Sequence, residues 1–305
     1  MPGMTWFRDT ALSRQIPLHP PGAFVAAAGV PVHYVAGGAG RPVVSVHGAK
    51  GSVYDFLLSI ADEVAGRYTA VAFDRPGAGF SGRLDGDGSP QGQAAVLREA
   101  ARQLDLRRPV LVGHSFGAAV CLAWALQAPD EVGAVVTIGG HVVPLGGGPP
   151  RLAAVARSRA ALRALAALAR TPPGRALVER VLGRIFAPDP VPADYLRIAP
   201  ALALDRERLA SDGEERAHWA QGLRALQEQY PRLSTPVVIV VGEQDQVVPP
   251  ASSLRLHRLL PHSELRVIPQ AGHLPQFAHA GEVLAAIDRA ALLAAAAEPP
   301  GPVSG

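Results

Sequence analysis

The sequence predicts one large α/β protein whose mostly parallel β-sheet is covered by helices on both faces. Short β-branched runs alternate with helical patterns along most of the 305 residues, which is typical of such a sheet. The runs at 42–47, 110–112, 134–138 and 236–242 are apolar almost throughout, as expected for strands buried on both faces. A chain of this length suits one large domain, or one domain with an insertion.

Composition favours a globular protein without nucleic-acid or metal chemistry. Hydrophobic residues make up 48% of the chain and charged residues 18%, and the net charge is only +3. No basic block or nucleic-acid motif stands out, so we expect no nucleic-acid partner. Cys121 is the only cysteine, which excludes an intrachain disulfide. With no signal-peptide or membrane-span pattern, we expect a cytoplasmic protein without stable membrane association. The pattern does not predict the oligomeric state.

The first half of the chain predicts strands and helices in regular alternation. In order, we expect an arm (1–22), a hairpin around Gly29 (24–27 and 32–35), a strand (42–47), a helix (54–65), a strand (68–73) and a helix (91–104). The strand at 110–112 and the helix at 116–127 follow, and then the strand at 134–138. Polar or glycine-rich loops follow the strands at the end of the sheet where ligands bind in such folds.

The alternation stops at residues 142–233, which are rich in Ala, Arg, Leu and Pro and contain no clear strand. We expect several helices here, one at 151–170, with breaks at 171–174 and 187–190. The segment is interpreted as a helical cap, and 1–141 with 234–305 as the core domain. The core resumes with a strand (236–242), a helix (252–260), a strand (264–268), a helix (281–296) and a flexible tail at the C-terminus (297–305).

The stretch Gly113-His114-Ser115-Phe116-Gly117 stands between a buried strand and a helix. A serine on so tight a strand-to-helix turn projects from the end of the sheet on a strained backbone. The helix that begins there directs its unpaired N–H groups and its positive dipole end at the serine. Ser115 is therefore the candidate nucleophile.

A serine hydroxyl needs an adjacent base, and the base needs an orienting carboxylate. His273 is the best of ten histidines because it follows the last strand after a short loop, whereas His141 and His279 are weaker candidates. Asp245 follows the buried strand 236–242, and Glu243 is the nearest alternative acid. We expect most other histidines, including His33, to lie at the surface.

Five motifs, taken together and in order, resemble those of the α/β-hydrolase family. They are His47-Gly48-Ala49, Asp74-Arg75-Pro76-Gly77-Ala78-Gly79-Phe80-Ser81, Gly113-His114-Ser115-Phe116-Gly117, Gly242-Glu243-Gln244-Asp245 and Gly272-His273. The resemblance covers residues 23–296 and implies the α/β-hydrolase fold with an inserted helical cap. Many relatives carry a glutamate five residues after the histidine, where this chain has Ala278. That position is not one of the three candidate residues Ser115, Asp245 and His273, so we expect no loss of mechanism.

The resemblance implies a mechanism without cofactor or metal. Ser115 would attack a carbonyl, His273 would transfer the proton, and Asp245 would hold the imidazole. The backbone N–H groups of Ala49 and Phe116 would form the oxyanion hole. A serine at the nucleophile position argues against dehalogenases and epoxide hydrolases, which form their ester intermediate on a carboxylate. The chain lacks the sequence His-Gly-Gly-Gly at His47, which argues against hormone-sensitive-lipase relatives.

We therefore expect a carboxylesterase-like serine hydrolase that cleaves an ester, lactone or thioester of a small or medium hydrophobic substrate. Three alternatives remain open: C–C bond hydrolysis, perhydrolysis as in cofactor-free haloperoxidases, and a non-catalytic ligand-binding relative. Lys50, the only lysine, adjoins the oxyanion motif and is a candidate for binding an anionic part of the substrate. A solvated loop lysine is the simpler interpretation.

Overall fold

The computed structural model describes residues 20–144, 167–168, 171–203, 206–260 and 262–297. Eight strands form one sheet: β1 (Ala23–Ala27), β2 (Val30–Gly37), β3 (Pro42–Val46), β4 (Thr69–Phe73), β5 (Val110–His114), β6 (Ala134–Ile138), β7 (Val237–Gly242) and β8 (Glu264–Ile268). Their order is β1-β2-β4-β3-β5-β6-β7-β8. The first two pairings are antiparallel, and the others are parallel. The predicted mostly parallel α/β sheet is confirmed.

The helices follow the strands as predicted over most of the core. They are α1 (Tyr54–Leu57), α2 (Ala61–Ala65), α3 (Pro90–Gln103), α4 (Phe116–Gln127), α5 (Pro172–Phe186), α6 (Ala193–Ala203), α7 (Arg206–Gln229), α8 (Ala251–Leu259), α9 (Pro275–Ala278) and α10 (Ala280–Ala296). Short 3₁₀ turns lie at Pro129–Glu131 and Tyr230–Arg232. In the part of the chain that the structure describes, no helix is long and apolar enough to cross a membrane.

Two apolar clusters stabilise the sheet, one on each face. On one face, β-strand valines pack against α3 and the centrally buried α4. On the other, alternate residues of β5, β6 and β7 pack against α10. Helix α4 is buried over nearly its whole surface, because α3 and α7 cover its outer side. The turn between β5 and α4 therefore stands on a densely packed part of the core.

The predicted single helix at 54–65 is wrong, since it divides into α1 and α2. The Ser59 hydroxyl donates to the carbonyl oxygen of Asp55 at 2.7 Å, and Leu58 already departs from helical geometry. Such side-chain bonds compete with the helix ladder.

Helices α5, α6 and α7 lie between β6 and β7 in the chain, and we call them the inserted helices. Thr171 caps the N-terminus of α5 by accepting from the backbone N–H of Gly174, and residues 187–190 separate α5 from α6. The expected arm, the helix at 151–170 and the C-terminal tail fall almost entirely outside the described residues.

Candidate active site

Ser115 occupies a strained turn between β5 and α4. Its φ of 51° and ψ of −118° fall in a region that non-glycine residues rarely adopt. Its backbone N–H donates to the carbonyl oxygen of Ile138 at 2.9 Å, and its own carbonyl oxygen accepts from the N–H of His141 at 3.0 Å. The end of β6 thus holds the turn in place, with Ser115 at the N-terminus of α4.

The loop after β3 packs directly on this turn. A Cβ atom on Gly117 would collide with the backbone carbonyl oxygens of Val46 and His47, so only glycine permits the approach. Further along the loop, a Cβ atom on Gly48 would lie 2.9 Å from the Cβ atom of Ser115. The sequence His47-Gly48-Ala49 is therefore brought to the serine, as its motif predicted.

His273 and Asp245 form a buried pair at the ends of β8 and β7. The Nδ1 atom of His273 lies 2.8 Å from Oδ2 of Asp245. The other carboxylate oxygen accepts from the backbone N–H groups of Val247 and Val248 at 2.8 and 2.9 Å. Because the carboxylate can only accept, Nδ1 carries the proton, which in the neutral ring leaves the lone pair of a general base on Nε2.

The end of β6 also lies beside this pair. A Cβ atom on Gly139 would lie 3.2 Å from both Oδ2 of Asp245 and Nδ1 of His273. Gly139 follows Ile138, which binds the N–H of Ser115. The structure therefore brings Ser115, Asp245 and His273 together around one strand end.

The side chains of the rival residues make other contacts. Glu243 is exposed and accepts from the N–H of Gln270. His279 faces Asp189 at 3.7 Å. The ring of His141 lies edge-on to that of Trp219, with centroids 5.5 Å apart.

Both predicted oxyanion residues lie beside Ser115 in the chain or in space. Phe116 is the first residue of α4, so its backbone N–H has no acceptor within the helix. Ala49 follows Gly48, which contacts the serine. Lys50 is exposed and has a φ of 58°.

A buried arginine that the sequence analysis did not single out fixes the loop His47-Gly48-Ala49, which we call the oxyanion loop after its predicted role. Arg75 is fully buried and donates through Nε to the carbonyl oxygen of His47 and through Nη2 to that of Gly48, both at 3.0 Å. Its Nη1 atom donates to Gln93 at 2.6 Å. These bonds fix the carbonyl groups of two successive loop residues, and the only sequence signal was the position of Arg75 in the loop after β4.

His47 fixes the same loop as a neutral ring. Its Nδ1 donates to the carbonyl oxygen of Gly48 at 2.8 Å, and its Nε2 accepts from the N–H of Arg75 at 3.0 Å. Burial, with the nearby Arg75 charge, lowers the pKa of His47 to about 3. A ring that accepts at Nε2 must stay neutral, so the hydrogen bonds and the pKa agree.

The inserted helices contribute one aromatic ring next to the serine. Trp219 of α7 stacks on Phe116 with centroids 4.4 Å apart and ring planes within 15°. The guanidinium of Arg75 lies 4.9 Å from the centre of the Phe116 ring. Helix α7 is fixed to the core one turn later, where Gln91 donates to the carbonyl oxygen of Gly222 at 3.0 Å. No motif in the sequence pointed to Trp219.

His33 is buried, so the prediction that it lies at the surface is wrong. Its Nδ1 lies 2.7 Å from Oδ2 of Asp74, and its Nε2 contacts the carbonyl oxygen of Pro21. Asp74 also accepts from the N–H groups of Val53 and Phe80, both at 2.8 Å. The buried carboxylate thus joins strand β2, the residue before α1 and its own loop after β4, and His33 is part of that structural network.

Comparisons with known proteins agree with this geometry. The sequence profile described as alpha/beta hydrolase fold matches residues 41–280. A 2-hydroxy-6-oxononadienedioate/2-hydroxy-6-oxononatrienedioate hydrolase of Paraburkholderia phymatum is 27% identical over 261 residues, covering 82% of this chain and 86% of that protein. The 2-hydroxy-6-oxo-2,4-heptadienoate hydrolase of Pseudomonas putida is 28% identical over 263 residues, or 84% and 90% of the two chains.

Among solved structures, an alpha/beta hydrolase fold protein from Burkholderia ambifaria superimposes with a TM-score of 0.72 at 25% identity, covering 87% of this chain and 96% of that chain. The chain therefore belongs to the α/β-hydrolase fold family, and the resemblance that its motifs indicated is confirmed. The relatives support a hydrolase without fixing the bond that it cleaves.

Proposed function

We propose that this protein hydrolyses carboxylic ester-type bonds of a small or medium hydrophobic substrate through an acyl-serine intermediate. One observation carries the proposal: the end of β6 binds the strained turn of Ser115 and also lies against the His273–Asp245 pair, while the His47-Gly48-Ala49 loop packs on the serine. A nucleophile, an oriented base and oxyanion donors are the parts that acyl transfer needs.

In the proposed reaction, the Ser115 hydroxyl oxygen attacks the carbonyl carbon while Nε2 of His273 takes its proton. Asp245 stabilises the imidazolium that forms. The backbone N–H groups of Ala49 and Phe116 bind the oxyanion, and one such donor is worth about 3–4 kcal/mol in comparable enzymes. The imidazolium then protonates the leaving group, and a water activated by the same histidine releases the acid.

A second candidate is hydrolysis of a C–C bond next to a ketone, and the named relatives favour it. The Paraburkholderia phymatum and Pseudomonas putida proteins are hydrolases of hydroxy-oxo dienoates and cover most of this chain. Such a reaction also needs a base, oxyanion donors and a serine, so the site geometry serves both candidates. The substrate distinguishes them.

The experiment compares p-nitrophenyl esters from acetate to decanoate with a 2-hydroxy-6-oxo dienoate, using the wild type and Ser115→Ala. The ester proposal predicts turnover with a preferred acyl length that is lost in the variant. Turnover of the dienoate alone would replace the ester function by C–C hydrolysis. Turnover of neither substrate, with no labelling of Ser115 by a fluorophosphonate, would reject both.

A further inference from the structure

His114 precedes the nucleophile and lies against the candidate base, yet the proposed reaction gives it no role. Its ring centroid is 4.7 Å from that of His273, with the planes tilted by 56°. Its Nε2 atom lies 2.9 Å from the backbone carbonyl oxygen of His273. Both side chains are about 4% exposed. His114 is the last residue of β5 and His273 lies in the loop after β8, and these two strands are not neighbours in the sheet.

The hydrogen bond defines which nitrogen of His114 carries the proton. A carbonyl oxygen only accepts, so Nε2 is the donor. Within the described part of the chain, Nδ1 of His114 has no hydrogen-bond partner, and it faces the oxyanion loop, 3.1 Å from where a Cβ atom on Gly48 would stand. A second proton there would have no acceptor. Burial and the neighbouring His273 also hold the pKa of His114 well below its usual value.

The backbone of the loop that carries His273 is attached at several points, one of them the bond from the N–H of Gln270 to Glu243 at 3.3 Å. The N–H of Gln244 donates to the carbonyl oxygen of Ala271 at 2.9 Å, and His114 donates to that of His273. The bond to Asp245 orients the imidazole through the side chain, whereas the bond from His114 acts on the backbone of His273 itself. His114 is the attachment point next to the serine.

We propose that His114 is a positioning residue, a neutral donor that holds the backbone of His273 at the height where its ring meets Ser115. This inference rests on the proposed serine hydrolase function. Because the residue before the nucleophile holds the base, the distance between the two is defined through one side chain. A displacement of about 1 Å in such a pair can reduce the rate by about a hundredfold.

The test uses three variants and one ester that the wild type turns over. His114→Gln keeps a side-chain N–H at similar reach, His114→Phe keeps a ring without a donor, and His114→Leu removes both. We expect His114→Gln to keep kcat within about threefold, and the other two to lower kcat about ten- to a hundredfold with KM nearly unchanged. His257→Phe is the matched control. It also removes a histidine hydrogen bond, the one of 2.8 Å to Ser263, but it lies on α8, away from the site.

A second measurement separates positioning from a general loss of structure. The proton in the His273–Asp245 hydrogen bond gives a downfield NMR resonance, and we expect it to shift or broaden in His114→Phe while His114→Gln retains it. Wild-type kcat in His114→Phe, with an unchanged resonance, would overturn the inference. An equal loss in His114→Gln and His114→Phe would do so too, because the donor would then be irrelevant. Failure of the hydrolase proposal is distinct, since the wild type itself would be inactive.

Discussion

Tyr195 donates a hydrogen bond to Oδ1 of Asp55 at 3.1 Å and so joins inserted helix α6 to helix α1 of the core. Both side chains are buried. The Tyr195 ring packs edge-to-face with Phe277 and Phe186, with centroids 5.4 and 5.0 Å away and ring planes at 82° and 66°. Burial raises the pKa of Asp55 to about 7. A group that ionises near neutral pH therefore lies at the contact between the inserted helices and the core.

The raised pKa predicts how Asp55 links stability to pH. The native state holds this proton up to about pH 7, whereas the unfolded chain releases it near pH 4, so the contribution to stability is full at low pH and is lost as the pH rises to about 7. Asp55→Asn cannot ionise. We expect its urea midpoint, relative to the wild type, to rise between pH 5 and pH 8. A difference that is constant with pH would contradict the assignment.

Acidification lowers the stability through His47, whereas it raises the stability through Asp55. Its native pKa is lowered to about 3, so below about pH 6.5 the unfolded chain binds a proton that the native state does not. We expect stability to fall on acidification from pH 6.5 towards 4, at up to about 1.4 kcal/mol per pH unit for each such histidine. The fall should be steeper in Asp55→Asn, where the opposing contribution is gone. Urea unfolding at half-unit pH steps measures both slopes.

Arg75→Lys should damage both stability and turnover. A lysine cannot donate to the carbonyl oxygens of His47 and Gly48 and to Gln93 at once. Leaving one such buried acceptor without its donor costs about 1–3 kcal/mol. We expect a lower thermal midpoint and a kcat reduced at least tenfold, because the oxyanion loop loses its support.

The matched control is Arg289→Lys. Arg289 binds Glu264 through two nitrogens, at 2.9 and 2.7 Å, but this pair is partly exposed. Its loss should cost less than about 1 kcal/mol. Equal effects of the two substitutions would mean that Arg75 has no special role in the loop.

The stack of Trp219 on Phe116 should couple the inserted helices to turnover. We expect Trp219→Ala to lower kcat/KM about tenfold and Trp219→Phe to retain most of it, because an aromatic pair contributes about 0.5–1.5 kcal/mol beyond its buried area. A double-mutant cycle with Phe116→Leu measures the coupling directly. Strictly additive effects would show that the two rings act independently.

The sequence predicted the sheet and the three site residues because these depend on local signals. Buried parallel strands are apolar almost throughout, and Ser115 and Asp245 follow two such strands. His273 follows the last strand, β8, after a short loop, and the sheet topology brings the three ends to one edge. The fold that these motifs indicated is confirmed, and the role of each residue stays a prediction. The division into a core and a cap also stays a prediction.

The remaining features depend on contacts between distant segments. His33 contacts Asp74, which lies 41 residues away in the sequence, and His114 contacts His273, which lies 159 residues away. No local pattern encodes such contacts. Trp219 and Tyr195 come from a segment of low-complexity helices without motifs. The break at Leu58 depends on the Ser59 hydroxyl, which donates to the carbonyl oxygen of Asp55 four residues earlier.

The central claim is that Ser115 carries an acyl group during turnover, and intact-protein mass spectrometry tests it most directly. Acid quenching of the protein during hydrolysis of a p-nitrophenyl ester should trap a mass increase equal to the acyl group. The adduct should map to the peptide that contains Ser115, and Ser115→Ala should show neither adduct nor turnover. Turnover that persists in Ser115→Ala, with no acyl adduct in the wild type, would contradict the account.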